Sequence, residues 1–121
     1  MNKTGDHKGL RRIYNAFFYS LYGIKSCFRT EEAFRQEFIL AMFLLPLGLY
    51  FGDGAVEKFL LTGSVLFVLL VEILNTGIER AIDRISFEKH DLSREAKDMG
   101  SAAVMLSLIM CVLCWGLIFL L

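Results

Sequence analysis

Proline occurs once and cysteine three times in 121 residues, a composition that suits neither a disordered, loop-rich chain nor a disulfide-stapled secreted module. An odd cysteine count without a Cys/His cluster also argues against structural zinc. A net excess of charge of either sign is missing too. Thirteen Lys and Arg balance thirteen Asp and Glu, whereas nucleic-acid binders need a basic excess to displace counterions from phosphates. No nucleic-acid partner is expected. The chain has no G-x-x-x-x-G-K-[ST] segment, which excludes a P-loop nucleotide site. No repeat or low-complexity linker divides it. Its first thirty residues lack the compact uncharged core and small-residue cleavage site of a signal peptide, so the start of the chain is expected to be retained.

Apolar surface is what the chain has in excess. At 55% hydrophobic residues and a mean hydropathy of +0.52, it is too greasy for one small water-soluble core. Uncharged runs cover 38–52, 59–71 and 99–121, and the third alone can cross about 30 Å of hydrocarbon as a helix. The first two reach that length if extended toward one side of the membrane. The expected architecture is an all-α integral-membrane domain over 1–121, with a surface helix over 1–30 and membrane helices over about 32–52, 58–82 and 94–121. Seven of the thirteen cations lie before Phe38 and five between Glu79 and Asp98. By the positive-inside rule the N-terminus and the 79–98 loop are cytoplasmic, and the C-terminus is outside.

Residues 8–30 interleave Lys8, Arg11, Arg12, Lys25 and Arg29 with Leu10, Ile13, Tyr14, Phe17, Leu21, Ile24 and Phe28, the pattern of an amphipathic helix lying in the headgroup layer. Pro46 falls inside the first span, where it removes a backbone donor and serves packing geometry. Cys111 and Cys114 have C-x-x-C spacing, but apolar neighbours mark them as packing residues. His7 belongs to a fraying terminus, and His90 reads as a solvated loop histidine.

Glu72, Asn75, Glu79 and Asp83 interrupt the second span, and at about 100° per residue they share one helix face. A carboxylate inside a membrane span is costly unless it faces protein or water, so Glu72 marks a functional site. Glu79 and Asp83 repel each other at i,i+4 and require a nearby cation. The loop beyond them holds carboxylates, Arg84, Arg94, Lys97 and His90, groups suited to metal-bound phosphate. Asp91 is a candidate helix cap. Ala96, Gly100, Ser101, Ala102 and Ala103 offer a smooth surface for close helix approach. Three spans leave the polar row partly uncovered, so the polar face of the second span is expected to meet another subunit.

The run V-E-I-L-N-T-G-I-E-R-A-I-D-R, the later A-K-D-M-G-S-A-A-V and the earlier E-E-A-F-R-Q-E resemble the small integral-membrane diacylglycerol kinases of bacteria, over residues from about 12 to 115. The resemblance implies a homotrimer with no obligate protein partner. It also implies transfer of the γ-phosphoryl group of ATP, with Mg2+, to the free hydroxyl of diacylglycerol at the inner face of the cytoplasmic membrane. Matched to the family's motifs, Glu72 is the catalytic base and Asn75 orients the reacting groups. Glu31 and Glu79 hold the metal. Arg12, Tyr19, Glu31, Glu79, Glu88, Lys89, His90, Lys97 and Asp98 bind ATP. Arg12, Ala33, Phe34, Arg35, Gln36, Glu37, Glu72, Ser101 and Trp115 contact the lipid. Lys89 stands where better-known members place an aromatic residue, and Phe17 replaces a small one.

Related undecaprenol kinases share the E-x-x-N-x-x-x-E-x-x-x-D and A-K-D elements, so a polyprenol is the alternative acceptor. A small proton-coupled exporter also uses a mid-membrane glutamate, but it has no need for Glu31, Glu79, Lys97 and Asp98 on one side.

Overall fold

The computed structural model describes residues 8–121, so His7 lies outside the described residues. These form four helices in chain order: α1 (Gly9–Thr30), α2 (Glu32–Phe51), α3 (Gly54–Ile85) and α4 (Asp91–Leu120). The last three are long and apolar enough to cross a membrane. Their connections are short, so α2, α3 and α4 run antiparallel. One end of the molecule gathers the α1–α2 junction, the C-terminus of α3 and the start of α4. The opposite end holds the turn at Gly52 and Asp53 and the C-terminus of α4. The 32 residues of α3 span about 48 Å, well beyond the hydrocarbon thickness, which carries its last turns into the polar layer.

Helix α3 is the central member, packed on α2 along one side and on α4 along the other. Small residues set both distances. A Cβ on Gly48 of α2 would lie 3.0 Å from Leu61 Cβ and 3.3 Å from Thr62 Cγ2, so glycine lets these helix backbones approach closely. On α4, a Cβ on buried Gly100 would run into Asn75 Oδ1 of α3. The smooth surface expected around Gly100 therefore serves contact within the chain at that residue, while Ser101, Ala102 and Ala103 are exposed.

Three helix ends are tied by identifiable side chains. Lys58 Nζ donates to the carbonyls of Leu49 (2.8 Å) and Gly52 (2.7 Å), satisfying the open C-terminus of α2. Gly54 follows at φ +80°, a conformation open to glycine because it has no Cβ. Arg35 Nη1 donates to Phe28 O at 2.8 Å and Arg29 O at 3.4 Å, closing the end of α1 across the single-residue hinge at Glu31. The start of α4 departs from expectation. The cap is His90, whose Nδ1 accepts from Leu92 N at 3.1 Å, while Asp91 is the first helical residue. The imidazole reaches the open amide and leaves Asp91 to the helix dipole.

Helix α2 continues through Pro46 to Phe51. The buried core joins α1, α2 and α3 through Cys27, Phe34, Ala41, Val65 and Leu69, with Cys111 and Trp115 of α4 packed against it. Trp115 Nε1 donates to Leu61 O (3.1 Å) and Ser64 Oγ (3.2 Å), and its ring stacks on Phe119. Apolar side chains elsewhere point outward along α2, α3 and α4, as expected of helices whose solvent is lipid.

Candidate functional site

Glu72 is 7% exposed, one of the buried polar residues of the molecule. Thr76, one turn further, is also buried. Part of what covers them is α1: Cys27 Sγ donates to Thr76 Oγ1 at 3.5 Å, and burial pushes the Cys27 thiol upward in pKa, opposed in part by that hydrogen bond. From α2, Glu37 brings its carboxyl up to that of Glu72, with Oε1 of Glu37 buried and unpartnered among the described residues. The chain itself therefore covers Glu72. The last turn of α1 supplies cover that a count of the three spans alone leaves out.

The polar row also divides. Asn75 leans toward α4, its Oδ1 buried against Gly100 with no hydrogen-bond partner among the described residues. Thr76 and Arg80 lean toward α1. Glu79 lies between them, partly buried. Asp83 accepts from Lys97 Nζ of α4 at 2.8 Å, which supplies the cation that the Glu79–Asp83 repulsion calls for.

Arg80 is the residue that sequence reasoning passed over. Its Nη1 donates to Ser26 Oγ at 2.7 Å and its Nη2 to Thr30 Oγ1. Nη2 also lies 4.0 Å from Glu31 Oε2. Helix α3 thus grips the end of α1 and the hinge carboxylate together. Glu37 gave a signal only as part of a motif. Its position opposite Glu72 depends on the register of α2 against α3, which no local pattern encodes.

A second polar cleft of about 180 Å3 lies where α3 passes into α4, lined by Asp83, Ser86, Glu88, Lys89, His90, Arg94 and Lys97 among others. An apolar groove of about 550 Å3 lies on the α1, α2 and α3 side, bounded by Ile24, Phe34, Phe38, Leu66, Leu69, Leu70, Ile73 and Leu74. Several of its residues neighbour Glu72 along α3. Glu31, Glu37, Glu72, Glu79, Arg35 and Lys97 are thus gathered at one end, with Phe34 in the groove wall.

Other predicted positions lie on the helix surfaces. Ala33 and Gln36 are exposed on α2, Arg12 and Tyr19 are exposed on α1, and Asp98 and Ser101 are exposed on α4. Trp115 lies about 21 Å further along α4 than Ser101, with its N–H engaged on α3. Among the described residues no three His, Cys, Asp or Glu side chains form a metal cage. Magnesium needs none when it arrives on a nucleotide, since one or two carboxylates complete a sphere otherwise made of phosphate oxygens and water. Glu31 and Glu79 fit that donor set.

Residues 18–119 match the family model described as prokaryotic diacylglycerol kinase. A diacylglycerol kinase of Haemophilus influenzae is 44% identical over 89% of this chain and 92% of its own. One from Pseudomonas aeruginosa is 44% identical over 93% of this chain and 91% of its own. One from Escherichia coli K12 is 42% identical over 88% of each.

Proposed function

The chain belongs to the prokaryotic diacylglycerol kinase family, and on that premise we propose that it transfers the γ-phosphoryl group of ATP to the free hydroxyl of diacylglycerol, forming phosphatidic acid and ADP. The observation that carries the reading is the burial of the Glu72 carboxylate beside an apolar groove, about 10 Å along α3 from Glu79. A lipid alcohol keeps its hydroxyl near the interface and its tails in hydrocarbon, while ATP stays in water. A base at the depth of Glu72 serves the first, and the groups around Glu79 serve the second.

In this scheme Glu72 takes the hydroxyl proton as the oxygen attacks phosphorus. Asn75, whose buried Oδ1 has no donor among the described residues, orients the reacting groups. Glu31 and Glu79 would hold Mg2+, which supplies charge neutralisation on the phosphates. Glu88, Lys89, His90, Lys97 and Asp98 bind the nucleotide, with Arg12 and Tyr19 closing from α1. Arg12, the Ala33 to Glu37 stretch, Glu72 and Ser101 meet the lipid near its headgroup, and the ring of Trp115 meets it at tail depth.

The polyprenol kinase and exporter readings are not favoured, since relatives across the whole chain are named as diacylglycerol kinases. We further propose a homotrimer in the bacterial inner membrane, with α1 on the cytoplasmic surface. The apolar side chains exposed along α1, Leu10, Ile13, Tyr14 and Phe17, support the surface placement, and the cation-rich end common to α1, α3 and α4 supports the orientation. The function is tested by presenting purified protein in mixed micelles with labelled ATP and either diacylglycerol or undecaprenol. Label should enter phosphatidic acid. Preferential labelling of the polyprenol would overturn the substrate assignment.

A further inference from the structure

We infer that Arg80 is a positioning residue for the reaction: by clamping the last turn of α1 to α3, it fixes Glu31 relative to Glu79. The inference rests on the proposed metal-binding role of those two carboxylates. Glu31 is the single non-helical residue between α1 and α2, with extended backbone at φ −113° and ψ 112°. Its N–H donates to Cys27 O at 2.9 Å, and its carbonyl accepts from Arg35 N at 3.1 Å. The hinge backbone is therefore tied to helices on both sides. What those ties leave open is where the hinge sits against α3.

Arg80 supplies that constraint. It follows Glu79 directly on α3, so any displacement of its guanidinium partners is a displacement relative to Glu79. The planar fork meets two hydroxyls one turn apart on α1, Ser26 and Thr30, and the same Nη2 faces Glu31 at 4.0 Å. Two donors on two hydroxyls fix a direction as well as a distance, which a flexible lysine ammonium does not. Few other contacts could do this. Helix α1 packs on α3 far less than α2 or α4 does, and a further polar link between them is the Cys27–Thr76 hydrogen bond at 3.5 Å. Groups that orient metal ligands typically change metal affinity by about 10- to 100-fold when removed.

The test uses the full-length protein in lipid with Cys111→Ala and Cys114→Ala, leaving Cys27 as the reporter thiol. Cys27 is 2% exposed beneath the clamped turn. Three quantities are read: the alkylation rate of Cys27 without metal, Mn2+ binding by electron paramagnetic resonance with a non-hydrolysable ATP analogue, and the KM values for MgATP and diacylglycerol. Arg80→Ala should speed alkylation, weaken Mn2+ binding by about tenfold or more, raise the KM for MgATP and leave that for diacylglycerol unchanged. Arg80→Lys should restore only part of the Mn2+ affinity. Ser26→Ala with Thr30→Val removes the partners from the other side and should reproduce the Arg80→Ala result without adding to it.

Faster alkylation with unchanged Mn2+ binding would overturn the inference, making Arg80 a packing staple. Unchanged alkylation in both variants would overturn it by showing that the clamp does not form. Glu31→Gln separates the two levels. If it leaves Mn2+ binding intact, the metal role of Glu31 fails and the positioning role with it, whatever the alkylation shows.

Discussion

Glu72 stands where a carboxylate is hard to keep: on a membrane-crossing helix, buried, and facing a second carboxyl from Glu37. Such an arrangement has no packing rationale, because an apolar residue of similar size would serve the core better. Its neighbours show how narrowly the site is built. Gly100 presses on Asn75 Oδ1 so closely that any Cβ there must displace the amide. Gly100→Ala should cost about 1–3 kcal/mol of stability through overpacking and reduce turnover in the fraction that folds. Thermal unfolding and specific activity measured on the same sample check both parts. Wild-type activity in a stable Gly100→Ala protein would show that the orientation of Asn75 is unimportant.

Among the elements, α3 organises the molecule because it touches every other helix, and its faces were only partly legible in the sequence. Hydropathy outlined the membrane helices, since uncharged runs of this length have few alternatives. The position of Glu72 within the second was equally plain. The division of the polar row was not. Asn75 and Asp83 turn to α4, while Thr76 and Arg80 turn to α1, and helical periodicity assigns a face without saying which neighbour occupies it. The clamp on α1, the Glu37–Glu72 contact and the His90 cap all depend on tertiary register or loop geometry, so they carry no local pattern. Trp115 illustrates the opposite case, a residue assigned to lipid contact by resemblance whose structural duty is separate from the polar end. Trp115→Phe should lose about 1–3 kcal/mol with its hydrogen bonds to Leu61 and Ser64, yet keep the KM for diacylglycerol, because the aromatic ring remains. A selective rise in lipid KM without loss of stability would instead give the indole N–H a direct role with substrate.

At the scale of the whole molecule, the antiparallel order of α2, α3 and α4 brings both cation-rich segments to one end, so a lipid alcohol and a water-borne nucleotide can meet there. Asp98 and Ser101 are exposed on α4, beside residues such as Lys97 and Gly100 that face α3. If they bind nucleotide and lipid, as the proposed assignment holds, the site that uses them draws on a neighbouring chain in the proposed trimer. Mixing inactive Glu72→Gln and Glu79→Gln proteins and allowing subunits to exchange should then restore part of the activity. Failure to do so despite verified exchange would place each site within one chain.

The most direct measurement is phosphoryl transfer by Glu72→Gln, a change that keeps the side chain's size and removes its capacity as a base. The account predicts a fall in turnover of at least about 100-fold, with an intact folded oligomer and retained binding of MgATP. Turnover near that of the unaltered protein would contradict it, because the buried carboxylate would then have no part in deprotonating the lipid alcohol.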